Sequence, residues 1–341
     1  MAKKFFKKQF LFPLLILIIV GAFLSIYKLS FQSYWLDEAR SIILLLSGYF
    51  FQAMKSGFFG VPPLYEFILY FWVKLFGHSE GSTRIFSSIF SIATLPLMYL
   101  AVKEFFDNKI AMFSALLLTF SAYHIYYAQE ARMYAFSWFF VMASTLFFIK
   151  LIKKSTKRNW IIYLITTLFA FYAHYSSLFV LLTQNIFVFM FWKRCGIKLK
   201  HWICMQLVLI MLFLPWVYIS VIPRLIIPTF IKKTETFWIA VPSYRTILET
   251  FIYFIWGHEW IVGGYVNKHL LFCKALLSLI GIMIFLSIWA TFRQKESSQK
   301  KEAIFFMLSW CFSPIITLYL VSIYIKPFYV VRYVSLALFP V

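Results

Sequence analysis

Long apolar runs that alternate with short basic clusters are the feature that most limits the fold of this sequence. Of the 341 residues, 62% are hydrophobic and 13% are charged, whereas about a quarter of the residues in a soluble domain are charged. A soluble fold cannot cover this much apolar surface, but a lipid bilayer can solvate it. Because backbone polar groups inside a bilayer must pair within their own segment, the runs predict an all-α polytopic membrane protein. The net charge of +21 is therefore interpreted from the positions of the basic residues in the loops, and no nucleic-acid partner is expected.

The apolar runs predict one membrane domain over residues 1–341, with about nine or ten transmembrane helices. The first run extends from Leu11 to Tyr27, and no small-residue cleavage site follows it, which favours an uncleaved span over a signal peptide. Further candidate spans lie near 83–102, 110–128, 134–152, 160–175, 177–192, 202–222, 269–292 and 303–325, and another begins near 334. Because the chain stops at Val341, too early for that last span to cross a bilayer, we expect a truncated C-terminus.

Two segments outside the predicted spans have features of their own. Residues 37–80 contain apolar stretches interrupted by charges, which predict interfacial helices in the first outer loop. Residues 221–268 form a long outer loop, and such a length is typical of a lid or a binding element. Within this loop a helix is predicted after Pro242, with Ser243 as its capping residue.

The charges of the loops predict the orientation of the chain. If the N-terminus lies in the cytoplasm, five short inner segments hold 19 of the 33 Lys and Arg residues, as the positive-inside rule requires. The same arrangement leaves 8 of the 12 Asp and Glu residues on the outer face. We therefore expect a multi-pass protein of the inner (plasma) membrane, with its carboxylate chemistry on the outer face.

The cysteines predict neither a metal site nor a disulfide framework. Cys195 lies in a basic loop, whereas Cys204, Cys273 and Cys311 lie in apolar runs. No pair has the spacing of metal ligands, and none falls in a predicted outer loop.

The adjacent carboxylates Asp37 and Glu38 are the first candidates for chemistry. On a helix, Asp37, Arg40 and Ser41 would share one face. Acidic residues also stabilise a helix N-terminus, which is the structural alternative. One carboxylate would suffice for that purpose, and here two stand beside the interfacial residue Trp35, so a functional role is favoured.

The segment 122–136 carries a second set of candidates where two predicted spans meet. Tyr126, Glu130 and Tyr134 are expected on one helical line, with Arg132 on another face. The structural alternative is an interfacial aromatic belt with one ion pair, which is common in membrane proteins.

Two segments nearer the C-terminus add further polar candidates. His174 and Tyr175 lie at the outer end of a turn between spans, where a lone histidine is more often a packing residue than a ligand. Arg332 and Tyr333 lie on the outer side of the last segment. Arg332 could extend to lipid head groups, or its guanidinium fork could hold a phosphate.

Together these segments resemble the GT-C superfamily of glycosyltransferases, which implies a GT-C fold for nearly the whole chain. The motifs PPLYEFILYFWVKLFG and QEARMYAF, the Asp-Glu pair after the first span and the Arg-Tyr pair near the end occur in a specific order. This order is similar to that of bacterial family 39-like members with RgtA/B/C/D-like domains. Their relatives include the protein O-mannosyltransferases and the aminoarabinose transferase of lipid A.

One departure from the family pattern precedes the two prolines. Many relatives carry His or Glu-Lys there, whereas this chain has Gly60 and Val61. Any role of that side chain is lost or moved, and Glu66 is a candidate to take it over.

The resemblance implies a polyprenyl-phosphate-linked sugar as donor, and transfer to a glycan, lipid or protein acceptor on the outer face. Such transfer needs a base for the acceptor hydroxyl and positive charge for the phosphate leaving group. Asp37 is expected to be the general base, and Glu38 to orient it or the acceptor. The expected substrate-binding residues are Arg40, Arg132 and Arg332 for the lipid phosphate, and Glu130, His174, Tyr175 and Tyr333 around the same cavity.

The sequence constrains the cofactors and the competing function classes less strongly. The chain has no Gly-rich nucleotide loop, and a lipid-phosphate donor requires none. The carboxylates and His174 could hold a divalent metal, although nothing in their spacing requires one. A polyprenyl-lipid flippase or transporter is the competing class. Transporters place ionisable residues near the bilayer midplane, whereas the acids here cluster at the outer ends of spans.

Overall fold

The computed structural model describes residues 8–56, 61–223, 239–257, 298–325 and 327–340, and the regular elements within these ranges are all helical. The first helices are α1 (Lys8–Ile26), α2 (Leu36–Leu46), α3 (Phe50–Lys55), α4 (Leu64–Phe76), α5 (Glu80–Phe105), α6 (Asn108–Thr119) and α7 (Ala122–Ala128). They are followed by α8 (Met133–Lys153), α9 (Lys157–Ala173), α10 (Ser177–Phe191), α11 (Leu199–Trp216), α12 (Tyr244–Trp256) and α13 (Ser298–Tyr324). The predicted all-α fold class is confirmed.

Five of the described helices, α1, α5, α8, α11 and α13, are long and apolar enough to cross a membrane. Helices α6 and α7 would add a sixth span if they count as one. Helices α9 and α10 are shorter, with 17 and 15 residues. The predicted span near 269–292 and most of the predicted loop 221–268 lie outside the described residues.

The candidate span near 110–128 corresponds to two helices, because the chain bends by 59° between α6 and α7. Helix α6 ends at Thr119, and Ser121 then caps α7 by accepting a hydrogen bond from the backbone N–H of His124 at 3.2 Å. A serine at this position stabilises a new helix start, so α7 leaves the direction of α6.

The span predicted to begin near 334 is wrong for the residues described there. Two 3₁₀ turns, Val331–Tyr333 and Ser335–Leu338, occupy this segment. The indole N–H of Trp138 in α8 donates to the hydroxyl of Ser335 at 3.1 Å, and the ring of Phe339 lies 5.8 Å from that indole. The apolar side chains here therefore pack into the core.

The elements expected in the outer segments are present where the chain is described. Helices α2, α3 and α4 occupy the region 37–80, and each is too short to span a bilayer. The helix predicted after Pro242 is confirmed as α12. Its cap is Ser243, whose side chain accepts from the backbone N–H of Arg245 at 3.2 Å.

A row of small polar residues on α5 lets neighbouring helices approach closely. The row consists of Ser87, Ser88, Ser91 and Thr94, all with an exposed fraction of 0%. The hydroxyl of Ser88 donates to the carbonyl of Ala128 at the end of α7, at 2.9 Å. Because Arg84 lies one turn before Ser88 on the same helix, this packing also positions Arg84 against the loop that follows α7.

A close backbone contact at Gly196 gives a test of the packing between α8 and the turn before α11. A Cβ atom at Gly196 would lie 2.9 Å from the carbonyl oxygen of Lys153, which belongs to the backbone and cannot rotate away. We expect Gly196→Ala to cost about 1–3 kcal/mol, the usual range for overpacking. The measurement is the melting temperature of the purified protein in detergent. Gly48→Ala is the matched control, because a Cβ there meets nothing within 4 Å; equal melting temperatures for the two variants would contradict the packing.

Candidate active site

The first turn of α2 carries Glu38, whose carboxylate is completely buried and paired with Arg84 of α5. The two side chains meet through two parallel hydrogen bonds, from Nε to Oε1 at 3.0 Å and from Nη2 to Oε2 at 2.7 Å. Such a bidentate pair is the strongest geometry between a guanidinium and a carboxylate. It fixes the start of α2 against α5.

The same carboxylate binds two backbone groups. The N–H of Ala131 donates to Oε1 at 2.7 Å, and the N–H of Trp35 donates to Oε2 at 3.3 Å. Both oxygens of Glu38 are thus engaged by protein groups. Glu38 joins α2, α5 and the loop after α7.

Arg84 was not singled out as a site residue by the sequence, although it holds the centre of this arrangement. Its Nη1 also donates to the carbonyls of Leu29 and Gln32, both at 2.7 Å, and its Nη2 donates to that of Ser33 at 3.1 Å. A charged residue beside a long apolar run needs a partner, and that requirement is the signal that points to Arg84.

Asp37 stands next to this pair but remains open, with 27% of its side chain exposed. Its Oδ2 lies 3.5 Å from Nη1 of Arg332. Arg132 donates to the backbone carbonyl of Asp37 at 3.3 Å and to the hydroxyl of Ser41 at 2.6 Å. The structure therefore brings the expected base together with two of the three arginines expected to bind phosphate.

The third arginine, Arg40, is exposed, and no hydrogen bond or ion pair joins it to the described residues of the site. Asp37 and Ser41 both meet Arg132, whereas Arg40 lies apart from that contact. All three residues nevertheless lie on α2, with the i, i+3, i+4 spacing of one helical face.

Glu66 in the first turn of α4 is a buried carboxylate close enough to Arg132 for their charges to interact. Burial raises the pKa of Glu66, and the charge of Arg132 opposes that rise. Its Oε2 has no hydrogen-bond partner in the described part of the chain, and neither has Nε of Arg132. Glu66 thus lies near Arg132, the arginine that donates to the backbone carbonyl of Asp37.

Glu130 lies in the loop between α7 and α8, so the predicted helical line through Tyr126, Glu130 and Tyr134 is wrong. Helix α7 ends at Ala128 and α8 begins at Met133. Glu130 is only 6% exposed, and burial raises its pKa to about 7. It nevertheless lines two cavities, of about 550 Å³ and 350 Å³, together with Tyr126.

His174 and Tyr333 lie side by side, with ring centres 5.9 Å apart. Burial, assisted by the charges of Arg132 and Arg332, lowers the pKa of His174 to about 3, so its ring is neutral. Its Nδ1 accepts from the backbone N–H of Ser176 at 3.2 Å, and the ring proton therefore lies on Nε2.

Tyr175 is directed away from this group towards α11. Its hydroxyl accepts a hydrogen bond from the indole N–H of Trp216 at 2.9 Å. Among the residues that the structure describes, no three His, Cys, Asp or Glu side chains come together as metal ligands.

Comparisons with known proteins show which fold this chain is similar to. Residues 60–219, a little under half of the chain, match the family described as dolichyl-phosphate-mannose-protein mannosyltransferase. No curated protein sequence matches the chain.

Two solved structures show the fold of the whole described chain. ArnT from Cupriavidus metallidurans in the apo state superposes with a TM-score of 0.63 and 14% identity, over 96% of this chain and 57% of ArnT. ArnT bound to undecaprenyl phosphate gives a TM-score of 0.64 and 13% identity, over 98% of this chain and 59% of ArnT. The chain thus spans less than two thirds of ArnT, and the expected GT-C fold is confirmed.

The ion pair between Glu38 and Arg84 predicts a large loss of stability when one partner is removed. Arg84→Met leaves a buried carboxylate without its counter-charge, which costs about 3–5 kcal/mol. Arg194→Met is the matched control, because Arg194 pairs with Glu302 at 2.8 Å but is 62% exposed, and such pairs contribute about 1 kcal/mol or less.

The readout is the melting temperature of each variant in detergent. We expect Arg84→Met to fall well below Arg194→Met, and the double variant Glu38→Leu/Arg84→Met to recover part of the loss. A double variant that melts lower than Arg84→Met alone would refute the buried-pair account.

Proposed function

We propose that this membrane protein with a GT-C fold transfers a hexose or pentose from a polyprenyl-phosphate donor to an acceptor hydroxyl on the outer face of the plasma membrane. The observation that carries the proposal is the meeting of Asp37 with Arg332 and Arg132 at the start of α2. A carboxylate beside two guanidinium groups supplies the base and the phosphate-binding charge that this transfer needs. The family match of residues 60–219 and the ArnT structure with bound undecaprenyl phosphate support the same donor class.

Asp37 is proposed as the general base because its environment differs from that of the other acids nearby. Glu38 is fully buried and engaged by Arg84, whereas Asp37 is partly exposed and keeps a loose contact of 3.5 Å with Arg332. An acceptor hydroxyl can therefore reach Asp37. Glu38 acts through its position in the chain, by holding the first turn of α2 in place.

The proposed reaction is a displacement at the anomeric carbon of the donor sugar. The acceptor oxygen forms a bond to that carbon while its proton passes to the Asp37 carboxylate. The bond from the anomeric carbon to the phosphate oxygen breaks, and its electron pair leaves with the lipid phosphate. Arg332 and Arg132 stabilise the charge that develops on this leaving group.

The remaining residues are proposed to shape the site. The neutral ring of His174 and the side chain of Tyr333 form a wall beside Arg332. Arg40, on the exposed part of α2, could contact the lipid phosphate as it arrives from the membrane. Tyr175 lies outside this wall, where its hydroxyl accepts a hydrogen bond from Trp216.

Replacing the proposed base gives the direct test. We expect Asp37→Asn to insert and accumulate normally but to lose sugar transfer by about 10²- to 10⁴-fold, the usual contribution of a general base. The assay is transfer from undecaprenyl-phosphate sugars to cell-envelope acceptors, followed by mass spectrometry. Glu249→Gln, an exposed carboxylate on α12, is the control and should keep wild-type activity. Near-normal transfer by Asp37→Asn would remove Asp37 from the mechanism.

The proposed orientation places the N-terminus in the cytoplasm, the turn before α5 outside and the turn before α9 inside. With the four native cysteines changed to serine, His78→Cys should react with a membrane-impermeant maleimide in intact cells. Ser155→Cys should react only after lysis, because the positive-inside rule places its loop in the cytoplasm. The reverse labelling pattern would overturn the orientation and the outer-face site.

A further inference from the structure

A cavity with aromatic walls lies beside Arg332 and has a volume of about 350 Å³. Its rings belong to Trp35, Tyr123, Tyr126, Tyr127 and Tyr253. The guanidinium carbon of Arg332 lies 5.9 Å from the centre of the Trp35 ring, a distance compatible with a cation–π contact. The cavity therefore combines apolar ring faces with a fixed positive charge at one end.

Glu130 brings an unsatisfied acceptor to this cavity. The residue is 6% exposed, and Tyr126 hydrogen-bonds its carboxyl group, but its Oε2 has no hydrogen-bond partner within the described chain. A buried carboxyl oxygen without a partner loses its hydrogen bonds to water and so costs free energy. A polar ligand in the cavity would remove that cost.

We infer that this aromatic cavity binds the sugar ring of the donor, with Glu130 as the acceptor of hydrogen bonds from its hydroxyl groups. The inference rests on the proposed function and deepens it by locating the donor sugar. Aromatic faces cover the C–H surfaces of a sugar, while tyrosine hydroxyls and a carboxylate bind its polar rim. The volume lies near the lower limit of ligand pockets, about 300–1,000 Å³, which suits one monosaccharide.

The position of the charged groups gives the sugar an orientation. Arg332 lines the cavity and also lies 3.5 Å from Asp37. The phosphate linkage of the donor therefore lies at the Arg332 end, next to the base, and the hydroxyls farther from the linkage face Glu130. Glu130 acts as a residue that recognises the sugar and not the lipid phosphate.

The second cavity, of about 550 Å³, shares Trp35, Tyr126 and Glu130 with the first but has a different character. Its walls include Lys28, Gln129 and the loop after α1, and they lack Arg332. The aromatic cavity is favoured for the donor sugar because it alone of these two is lined by an arginine that contacts Asp37.

The test compares the binding of two kinds of lipid to the purified protein in nanodiscs. One is bare undecaprenyl phosphate. The other is a panel of undecaprenyl phosphates that carry mannose, glucose, galactose, arabinose or N-acetylglucosamine, and affinities are measured by native mass spectrometry. Wild type should bind at least one sugar-bearing lipid more tightly than the bare lipid. Glu130→Leu should reduce that preference by about 10- to 100-fold, as expected for a hydrogen bond to a charged group, and leave the bare lipid nearly unaffected.

Two further variants keep the experiment decisive. Glu130→Gln retains a carbonyl acceptor and should keep most of the preference. Glu66→Gln changes another buried carboxyl that lies outside the cavity, so it should shift both lipids together. Unchanged preference in Glu130→Leu, or an equal loss for both lipids, would overturn the inference while the proposed function stands. If wild type bound neither kind of lipid, the proposed function itself would fall and the inference with it.

Discussion

The buried ion pair between Glu38 and Arg84 holds together the segments on which the candidate site depends. Through it and its backbone bonds, the loop after α1, the first turn of α2, the start of α5 and the loop after α7 meet at one point. A carboxylate and a guanidinium removed from water are stable only when their hydrogen bonds are satisfied. Here both oxygens of Glu38 accept hydrogen bonds, and Nε, Nη1 and Nη2 of Arg84 all donate. This junction positions Asp37 and Arg132, because each belongs to a segment that the Glu38–Arg84 pair holds in place.

The acids around this junction occupy distinct environments, and the difference suits distinct tasks. Glu38 is paired, Asp37 is partly exposed, and Glu66 and Glu130 are buried with one oxygen each lacking a partner among the described residues. Burial raises the pKa of Glu130 to about 7, so its protonation changes near neutral pH. Carboxyl groups in different environments can serve different roles in one site. In this account Asp37 accepts a proton and Glu130 recognises the sugar.

Much of the fold follows from the sequence, because helix formation in a bilayer is dictated by apolar length and by capping residues. The spans over 83–102 and 134–152 correspond to α5 and α8, and the helix capped by Ser243 begins where it was expected. The bend at Ser121 was missed because its hydrophobic surroundings resemble a continuous span, and a single serine that restarts a helix is a weak signal. The segment after Val334 was missed because apolar residues that pack inside a protein look the same as residues that face lipid.

The candidate site was predictable in part for similar physical reasons. Charged residues near apolar runs drew attention to Asp37, Glu130, Arg132 and Arg332, and the structure brings them around one region. The partner of Glu38 was not predictable from local spacing, because Arg84 lies 46 positions away and meets it only through tertiary packing. The exposure of Arg40 likewise depends on which side of α2 is covered by neighbouring helices.

The proposed function requires that the donor lipid is consumed on the outer face by transfer of its sugar. The most direct measurement follows undecaprenyl-phosphate sugar in proteoliposomes with cell-envelope acceptors, and records both the lipid products and their leaflet. If the protein transfers the sugar, bare undecaprenyl phosphate appears only when acceptor is present, together with a glycosylated product. Donor lipid that crosses the bilayer with its sugar still attached, and no glycosylated product, would contradict the account and identify a lipid transporter instead.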